Sequence, residues 1–277
     1  MRPTLLGLFG LLLIAPTAAL ADDHCTHSAA RQLTLDLAGV KTVRFEVNQH
    51  NLVLRAAPGG SHELKGRACA SKPQWLDDLT VTQEKKGDTL VVKVRREKEA
   101  GLSSLFGDNY AWLDIAGTVP DSVLVQLDVG SGDASLDGGA AASADVGSGD
   151  AKLRGIRGLV TAKVGSGDVE LDGGGSLKVL SIGSGDVKAR NVGGAAEVGS
   201  IGSGDFKLDG ARGDVKIGSI GSGDAELRNV SGRVRAESIG SGNLEVRGAG
   251  ALSVGSIGSG DVDHSGVTGQ IDLPRRD

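Results

Sequence analysis

The stretch that decides the fold is residues 182–192, which read Ile-Gly-Ser-Gly-Asp-Val-Lys-Ala-Arg-Asn-Val. Its tetrapeptide Gly-Ser-Gly-Asp occurs seven times in the second half of the chain, together with one Gly-Ser-Gly-Asn copy. The residues that close the eight copies are Asp133, Asp150, Asp168, Asp186, Asp205, Asp224, Asn243 and Asp261. Successive copies are 17 to 19 residues apart, and a repeat of about 20 residues is typical of a solenoid.

Apolar and polar residues alternate on both sides of each turn. Four positions before the closing residue, every copy has valine or isoleucine, from Val129 to Ile257. The first and third positions after it are apolar in every copy except the last, where His264 stands at the third, and the position between them is always polar. Alternation with period two is typical of a half-buried strand. We therefore expect two or three short strands in each copy.

One copy has too few apolar side chains to offset the conformational entropy that it loses on folding. Successive copies must therefore pair edge to edge and share one core. The predicted fold is all-β: a parallel β-solenoid of about eight coils of 17–19 residues, preceded by a less regular β-rich capping region. Antiparallel hairpins in a sandwich are the alternative, but they would not require valine or isoleucine at one position in all eight copies.

The chain divides into three predicted parts. Residues 1–21 read as a signal peptide, because a short apolar run follows Arg2 and ends in the cleavage pattern Ala19-Leu20-Ala21. Residues 22–120 are the N-terminal β-rich cap region, in which Gly87 marks a hairpin turn. Residues 121–277 are the solenoid with a C-terminal cap. We expect an exported protein of the periplasm, the outer-membrane surface or the extracellular space, without a transmembrane segment in the mature chain.

Two sites are predicted near the N-terminus that cleavage after residue 21 would create, a disulfide and a metal site. The chain has two cysteines, Cys25 and Cys69, and an even pair in an exported protein indicates a disulfide. Cleavage after residue 21 would expose Asp22, Asp23 and His24, whose amine, amide and imidazole nitrogens are a candidate Cu(II) or Ni(II) site. A terminal histidine without metal is the competing interpretation.

The repeated turn has a structural and a functional interpretation. Its glycines would allow positive φ angles and close approach of stacked backbones, and its serine and aspartate oxygens would accept hydrogen bonds from turn N–H groups. Asn243 occupies the aspartate position without a charge, which indicates that an oxygen is required. The alternative is a calcium-binding module like the β-rolls, although here aspartate follows glycine directly and each coil has one motif. We expect no cofactor.

Composition excludes some function classes. The net charge is −5, with acids and bases interspersed, so the chain has no basic footprint for nucleic acid. Neither a nucleophile elbow nor a phosphate loop occurs, and the repeat half has one aromatic residue, Phe206. We therefore expect no enzyme and no catalytic residues. A β-helix enzyme acting on polysaccharides is a lesser alternative.

The chain resembles a family of bacterial exported β-strand-repeat proteins of unknown function, described as putative adhesins and related to autotransporter adhesin head domains. The resemblance is carried by residues 33–57, by Leu113-Asp114-Ile115, by Val119-Pro120, and by residues 123–136 with the later copies of their turn. It implies a β-solenoid in the cell envelope with an adhesive or scaffolding role toward an unknown protein or glycan surface. It implies no catalytic residue.

Overall fold

The computed structural model describes residues 25–59, 62–98 and 109–274. The predicted signal peptide and the candidate metal site at Asp22, Asp23 and His24 lie outside these residues. Within them the chain forms strands and a 3-10 helix, Pro73–Trp75. No helix in this described part of the chain is long and apolar enough to cross a membrane.

The N-terminal strands are β1 (His27–Thr34), β2 (Thr42–Val47), β3 (Asn51–Ala57), β4 (Glu63–Ala70), β5 (Leu79–Lys86), β6 (Thr89–Arg96) and β7 (Ala111–Pro120). The repeat strands are β8 (Leu124–Val129), β9 (Asp133–Asp137), β10 (Ala141–Val146), β11 (Asp150–Arg154), β12 (Leu159–Val164), β13 (Asp168–Gly174), β14 (Ser176–Ile182), β15 (Asp186–Val192), β16 (Ala196–Ile201), β17 (Phe206–Ala211), β18 (Val215–Ile220), β19 (Ala225–Ile239), β20 (Leu244–Ile257), β21 (Val262–Val267) and β22 (Ile271–Asp272). The prediction of a parallel β-solenoid is confirmed, because the ladders between successive repeat coils are parallel.

Each coil contributes one strand before its glycine turn and one after it, which gives two ladders. The pre-turn ladder runs β5-β6-β2-β8-β10-β12-β14-β16-β18 and continues through the second halves of β19 and β20 to β22. The post-turn ladder runs β1-β4-β7-β3-β9-β11-β13-β15-β17 and continues through the first halves of β19 and β20 to β21. Both ladders therefore extend across residue 120, from the N-terminal region into the repeats.

Spatial order and chain order differ at the N-terminal end. The coil formed by β2 and β3 comes first in the chain, but it lies between the coil of β6 and β7 and the coil of β8 and β9. The later segment β4–β7 folds back over it, and β5 and β6 form the predicted hairpin, with Lys86 opposite Thr89. This region is stacked on the repeats as an extension of the same two ladders.

The core consists of apolar columns that run along the stack. The valine or isoleucine four positions before each turn aligns with its counterpart in the next coil, and Ile201, Ile220 and Ile239 follow one another in register. These three side chains are buried. A β-bulge in β14, where the register shifts between Ala162 and Val164 of β12, accommodates an extra residue without moving this column.

The glycines of the repeated turn serve close approach alone. None of the described Gly-Ser-Gly-Asp glycines has a positive φ, so that part of the expectation is wrong. A Cβ on the second glycine of any copy would lie 1.8 to 2.0 Å from a backbone oxygen of the preceding coil.

Positive φ angles occur instead at the second turn of each coil, five residues after the aspartate. The residue at this position has a positive φ in all eight copies. Six of these residues are glycines and two are asparagines, Asn191 with φ 57° and Asn229 with φ 55°. Glycine and asparagine tolerate this conformation better than other residues. The side-chain amides of both asparagines also donate to an aspartate of the preceding coil, Asp172 at 2.8 Å and Asp209 at 2.7 Å.

The two ends of the stack differ. At the N-terminal end, a disulfide joins Cys25 to Cys69 of β4, with Cα atoms 5.6 Å apart, and β1 packs across the edge of β5. At the C-terminal end, β21 and β22 pair with β20 alone. Val262 and Val267 are half-buried there, and 41% of the Ile271 side chain is exposed. The described residues up to 274 leave this end open.

We predict that Gly204→Ala strongly destabilises the solenoid, whereas Ser203→Ala in the same turn does not. The new Cβ would lie 1.8 Å from the backbone oxygen of Gly185, and two stacked backbones must separate to accept it. We expect a loss of at least about 3 kcal/mol, the upper end of ordinary overpacking, measured by urea unfolding. An unfolding midpoint for Gly204→Ala close to that of Ser203→Ala would contradict this account of the turn.

The coil formed by β2 and β3 contains a buried histidine. His50 stands in the turn between β2 and β3 and is 1% exposed. Its Nδ1 accepts the N–H of Leu113 at 3.2 Å, while Nε2 has no partner within the described chain. Burial, with a smaller contribution from the nearby Arg96 guanidinium, lowers the pKa of His50 to about 4.

We predict that His50 makes the fold less stable as the pH falls from about 6.5 to about 4. Because its pKa in the folded state lies below the unfolded value of about 6.5, the unfolded state binds the proton first, and the loss reaches about 3 kcal/mol below pH 4. Asparagine can place its Oδ1 near the Nδ1 position and does not titrate. Unfolding free energies of wild type and His50→Asn should therefore converge as the pH falls, whereas the exposed His264→Asn control should track wild type. Parallel curves for wild type and His50→Asn would contradict the prediction.

Candidate functional site: the aspartate face

The candidate site is the outer surface of the post-turn ladder, which we call the aspartate face. It consists of the outward side chains of β7, β3, β9, β11, β13, β15, β17, the first halves of β19 and β20, and β21. Three columns run along it, at the aspartate and at the second and fourth positions after it. The in-out alternation of each strand places these positions outward, and the parallel register stacks them coil upon coil.

The first column is longer than the repeat motif indicates. Asp133 aligns with Asn51 of β3, and Asn51 aligns with Asp114 of β7. The column therefore continues into the N-terminal region, where no Gly-Ser-Gly-Asp turn occurs. The alternation of residues 51–55 indicates from sequence that Asn51 points outward. Its neighbours in the column follow only from the position of β3 between β7 and β9.

A ladder of hydrogen bonds fixes the aspartate side chains. From Asp150 to Asn243, the Oδ1 atom of each residue accepts the backbone N–H of its counterpart in the next coil. The N···Oδ1 distances are 3.2 Å from Asp168 to Asp150, 3.0 Å from Asp186 to Asp168, 3.0 Å from Asp205 to Asp186, 3.2 Å from Asp224 to Asp205, 2.8 Å from Asn243 to Asp224 and 3.1 Å from Asp261 to Asn243. Asn243 takes part through its amide oxygen, so the ladder uses an oxygen atom and not a charge.

Lysines of the second column interact with the aspartate column. Lys188 Nζ lies 3.6 Å from Asp168 and 3.5 Å from Asp186, and Lys207 lies 3.8 Å from Asp205. Burial disfavours the charged form of Lys188, but the two carboxylates outweigh it and raise its pKa. The register also stacks Lys152, Glu170 and Lys188 along the second column, but the ion pairs of Lys188 are made to Asp168 and Asp186 of the first column.

The third column alternates in charge over most of its length. Its residues from β9 to β20 are Asp137, Arg154, Asp172, Arg190, Asp209, Arg228 and Arg247, stacked in register. Opposite charges on adjacent strands are favourable. The alternation ends at Arg228 and Arg247, where both arginines turn to Glu226 of the second column, Arg247 at 3.2 Å.

Within the described residues, no group of three or more His, Cys, Asp or Glu side chains is arranged to hold a metal ion. The candidate site at Asp22, Asp23 and His24 lies outside them. One oxygen of each aspartate from Asp150 to Asp224 is already occupied by the N–H of the next coil, which leaves the other to face solvent or the lysines.

Comparison with known families agrees with this architecture. The family model described as Toastrack DUF4097 matches residues 40–217, from the coil of β2 and β3 to β18. The chain belongs to the Toastrack DUF4097 family. The family resemblance read from the turns and strands of the sequence is thereby confirmed. The Toastrack match spans the N-terminal coils and most of the repeats.

Solved structures also align with this Toastrack chain. A putative adhesin from Parabacteroides distasonis is 12% identical, with 86% of this chain and 97% of the other covered and a TM-score of 0.49. A putative lipid binding protein from the same species is 14% identical, with 90% and 98% covered and a TM-score of 0.49. A putative adhesin from Parabacteroides merdae is 13% identical, with 87% and 97% covered and a TM-score of 0.46. No curated protein matches the chain.

We predict that Asp224→Asn preserves the stability of the fold and that Asp224→Ala lowers it. The Oδ1 atom of Asp224 accepts both the backbone N–H of Asn243 at 2.8 Å and its side-chain amide at 2.9 Å. Asparagine retains that oxygen, and alanine leaves the N–H unpaired, at a cost of about 1–2 kcal/mol. Urea unfolding of the two variants measures the difference. Equal losses of stability for Asp224→Asn and Asp224→Ala would show that the ladder depends on the negative charge.

Proposed function

We propose that this Toastrack chain is an exported, non-enzymatic scaffold of the bacterial envelope that presents the aspartate face to a protein or glycan surface. The observation that carries the proposal is the hydrogen-bonded aspartate ladder, which holds carboxylates at the rung spacing of about 4.8 Å along one face. Repeat proteins commonly bind through such extended surfaces. An adhesive role is what the family resemblance implies.

The chemistry of the face supports binding better than catalysis. A general acid or base needs a carboxylate that is free to exchange a proton with substrate, but the ladder aspartates use an oxygen to hold the next coil. The second column has charges of both signs, the charges of the third column alternate over most of its length, and these side chains are partly or largely exposed. Such a face suits many weak polar contacts spread along a partner, with bridging water.

The expected behaviour is selective loss of binding when the aspartate face is altered. The test uses three forms of residues 22–277. They are the wild type, the double variant Lys188→Gln/Lys207→Gln on this face, and the double variant Lys178→Gln/Lys216→Gln on the pre-turn face. The four side chains are matched, since Lys188 and Lys207 are 45% and 47% exposed and Lys178 and Lys216 are 46% and 53% exposed. Ligands from glycan and protein arrays should bind the first variant about tenfold more weakly, as expected for two charged contacts of up to about 1 kcal/mol each.

Two outcomes would contradict the proposal. Arrays without a reproducible ligand would leave the face without a binding role, and equal binding by both variants would place the contact elsewhere. The same measurements with Ca²⁺ and with a chelator address the calcium-module alternative. Binding and melting temperature should not depend on Ca²⁺, and a rise of several degrees on adding Ca²⁺ would favour that alternative.

A further inference from the structure

The second column of the aspartate face loses its charges at its N-terminal end. From Lys152 of β11 to Asp263 of β21, every residue of this column is charged. The three preceding rungs have Ala116 of β7, Val53 of β3 and Ser135 of β9, which stand next to one another in register. Val53 is 53% exposed, more than the other large apolar side chains that are exposed in the described chain. An uncharged strip with an exposed valine at its centre therefore interrupts the charged pattern.

Val53 and Ser135 of this strip line a hollow of about 300 Å³ in the outer surface of the sheet. The hollow is also lined by the first-column residues of four successive rungs, which are Asp114, Asn51, Asp133 and Asp150. Lys152 is the one basic residue among the described residues that line it. Three carboxylates beside one ammonium group leave the hollow with an excess of negative charge.

The aspartates at this end of the column are not used by the hydrogen-bond ladder. The ladder begins at Asp150, whose Oδ1 atom accepts the N–H of Asp168 at 3.2 Å. The N–H of Asp150 itself donates to the backbone oxygen of Gly132 at 3.1 Å. No side-chain hydrogen bond or ion pair within the described chain involves the carboxylate of Asp114 or of Asp133. Both carboxylates are therefore free to bind a cationic group from outside.

A central coil shows how this column binds an ammonium group. Lys188 of the second column places its Nζ atom 3.6 Å from Asp168 and 3.5 Å from Asp186, the first-column residues of two adjacent rungs. On β3 the same position of the second column is Val53, which supplies no charge. The first-column oxygens beside Val53 therefore lack the internal ammonium group that the equivalent oxygens have in the coil of Lys188.

We propose that the hollow receives a lysine side chain of a partner protein, with its methylene groups on Val53 and its ammonium group at Asn51, between the carboxylates of Asp114 and Asp133. An ammonium group forms charge-assisted hydrogen bonds with such oxygens, and the aliphatic stem of lysine packs on apolar surface while its charge stays in a polar environment. A neutral sugar would leave the negative charge of the hollow unbalanced, whereas a lysine complements it. The partner at this point is a basic protein segment, a conclusion that rests on the proposed function of the aspartate face.

A double-mutant cycle tests this contact. Short synthetic peptides are selected on an array for binding to residues 22–277, and each lysine of a retained peptide is replaced by norleucine, which keeps the stem and lacks the ammonium group. One lysine in each peptide should be required, with binding about fivefold weaker after its replacement. Asp133→Asn should weaken binding of the lysine peptide by a similar factor. It should leave binding of the norleucine peptide unchanged, because the two groups act on each other.

Three further variants separate this contact from a general effect of charge. Asp224→Asn removes the same charge from the same column far from the hollow, and it should bind both peptides as wild type does. Lys152→Gln removes the competing ammonium group and should strengthen binding of the lysine peptide about twofold. Val53→Ser should weaken binding of both peptides, since it removes the apolar contact with the stem. The exchanged side chains are all exposed, so the variants should melt as wild type does.

The outcomes also distinguish the lysine contact from the proposed function. If glycans bind the aspartate face and no peptide requires a lysine, the lysine contact is wrong while the proposed function stands; if neither glycans nor peptides bind, both are wrong. Equal losses of affinity for Asp133→Asn and Asp224→Asn would indicate an effect of net charge and overturn the contact at the hollow. A dimer in sedimentation velocity that Val53→Ser dissociates would assign the hollow to a second copy of the chain, which would also overturn it.

Discussion

Close contact between the backbones of successive coils is the constraint on which the rest of this structure depends. At the second glycine of each turn the preceding coil leaves no space for a Cβ atom, since one would lie 1.8 to 2.0 Å from a backbone oxygen. The glycines therefore set the distance between coils. Once that distance is fixed, the ladder hydrogen bonds, the apolar columns and the aspartate ladder all follow from one repeated geometry.

The same constraint explains why strand positions and register could be predicted from sequence for the repeats but only in part for the N-terminal region. Each repeat coil has the same environment above and below, so it needs the same residue types at the same positions, and Ile201, Ile220 and Ile239 align as their spacing predicts. The coil of β2 and β3 has unlike neighbours, β6 and β7 on one side and β8 and β9 on the other. Its strands were visible as alternation, but pairing between strands distant in the chain leaves no periodic signal.

The candidate site shows a similar division. The aspartate positions and their need for an oxygen followed from the motif and from Asn243. The donors of their hydrogen bonds could not be predicted, because alternation shows which face a side chain lies on but not which N–H group donates to it. The left-handed turn was also assigned to the wrong glycines. Gly-Ser-Gly suggests positive φ, but these residues are glycine to let backbones meet, and the left-handed positions are five residues further on, where asparagine also occurs.

The ladder also determines where binding specificity can reside. An aspartate whose oxygen holds the next coil cannot be exchanged for a larger or apolar residue without loosening the stack. The side chains at the second and fourth positions after it do not hold the next coil. They point outward and interact mainly with one another or with the aspartates. Lysine, glutamate, serine and aspartate all occur at the second position. The regular column thus provides spacing and rigidity, and the two variable columns beside it provide the pattern of charge that a partner surface would recognise.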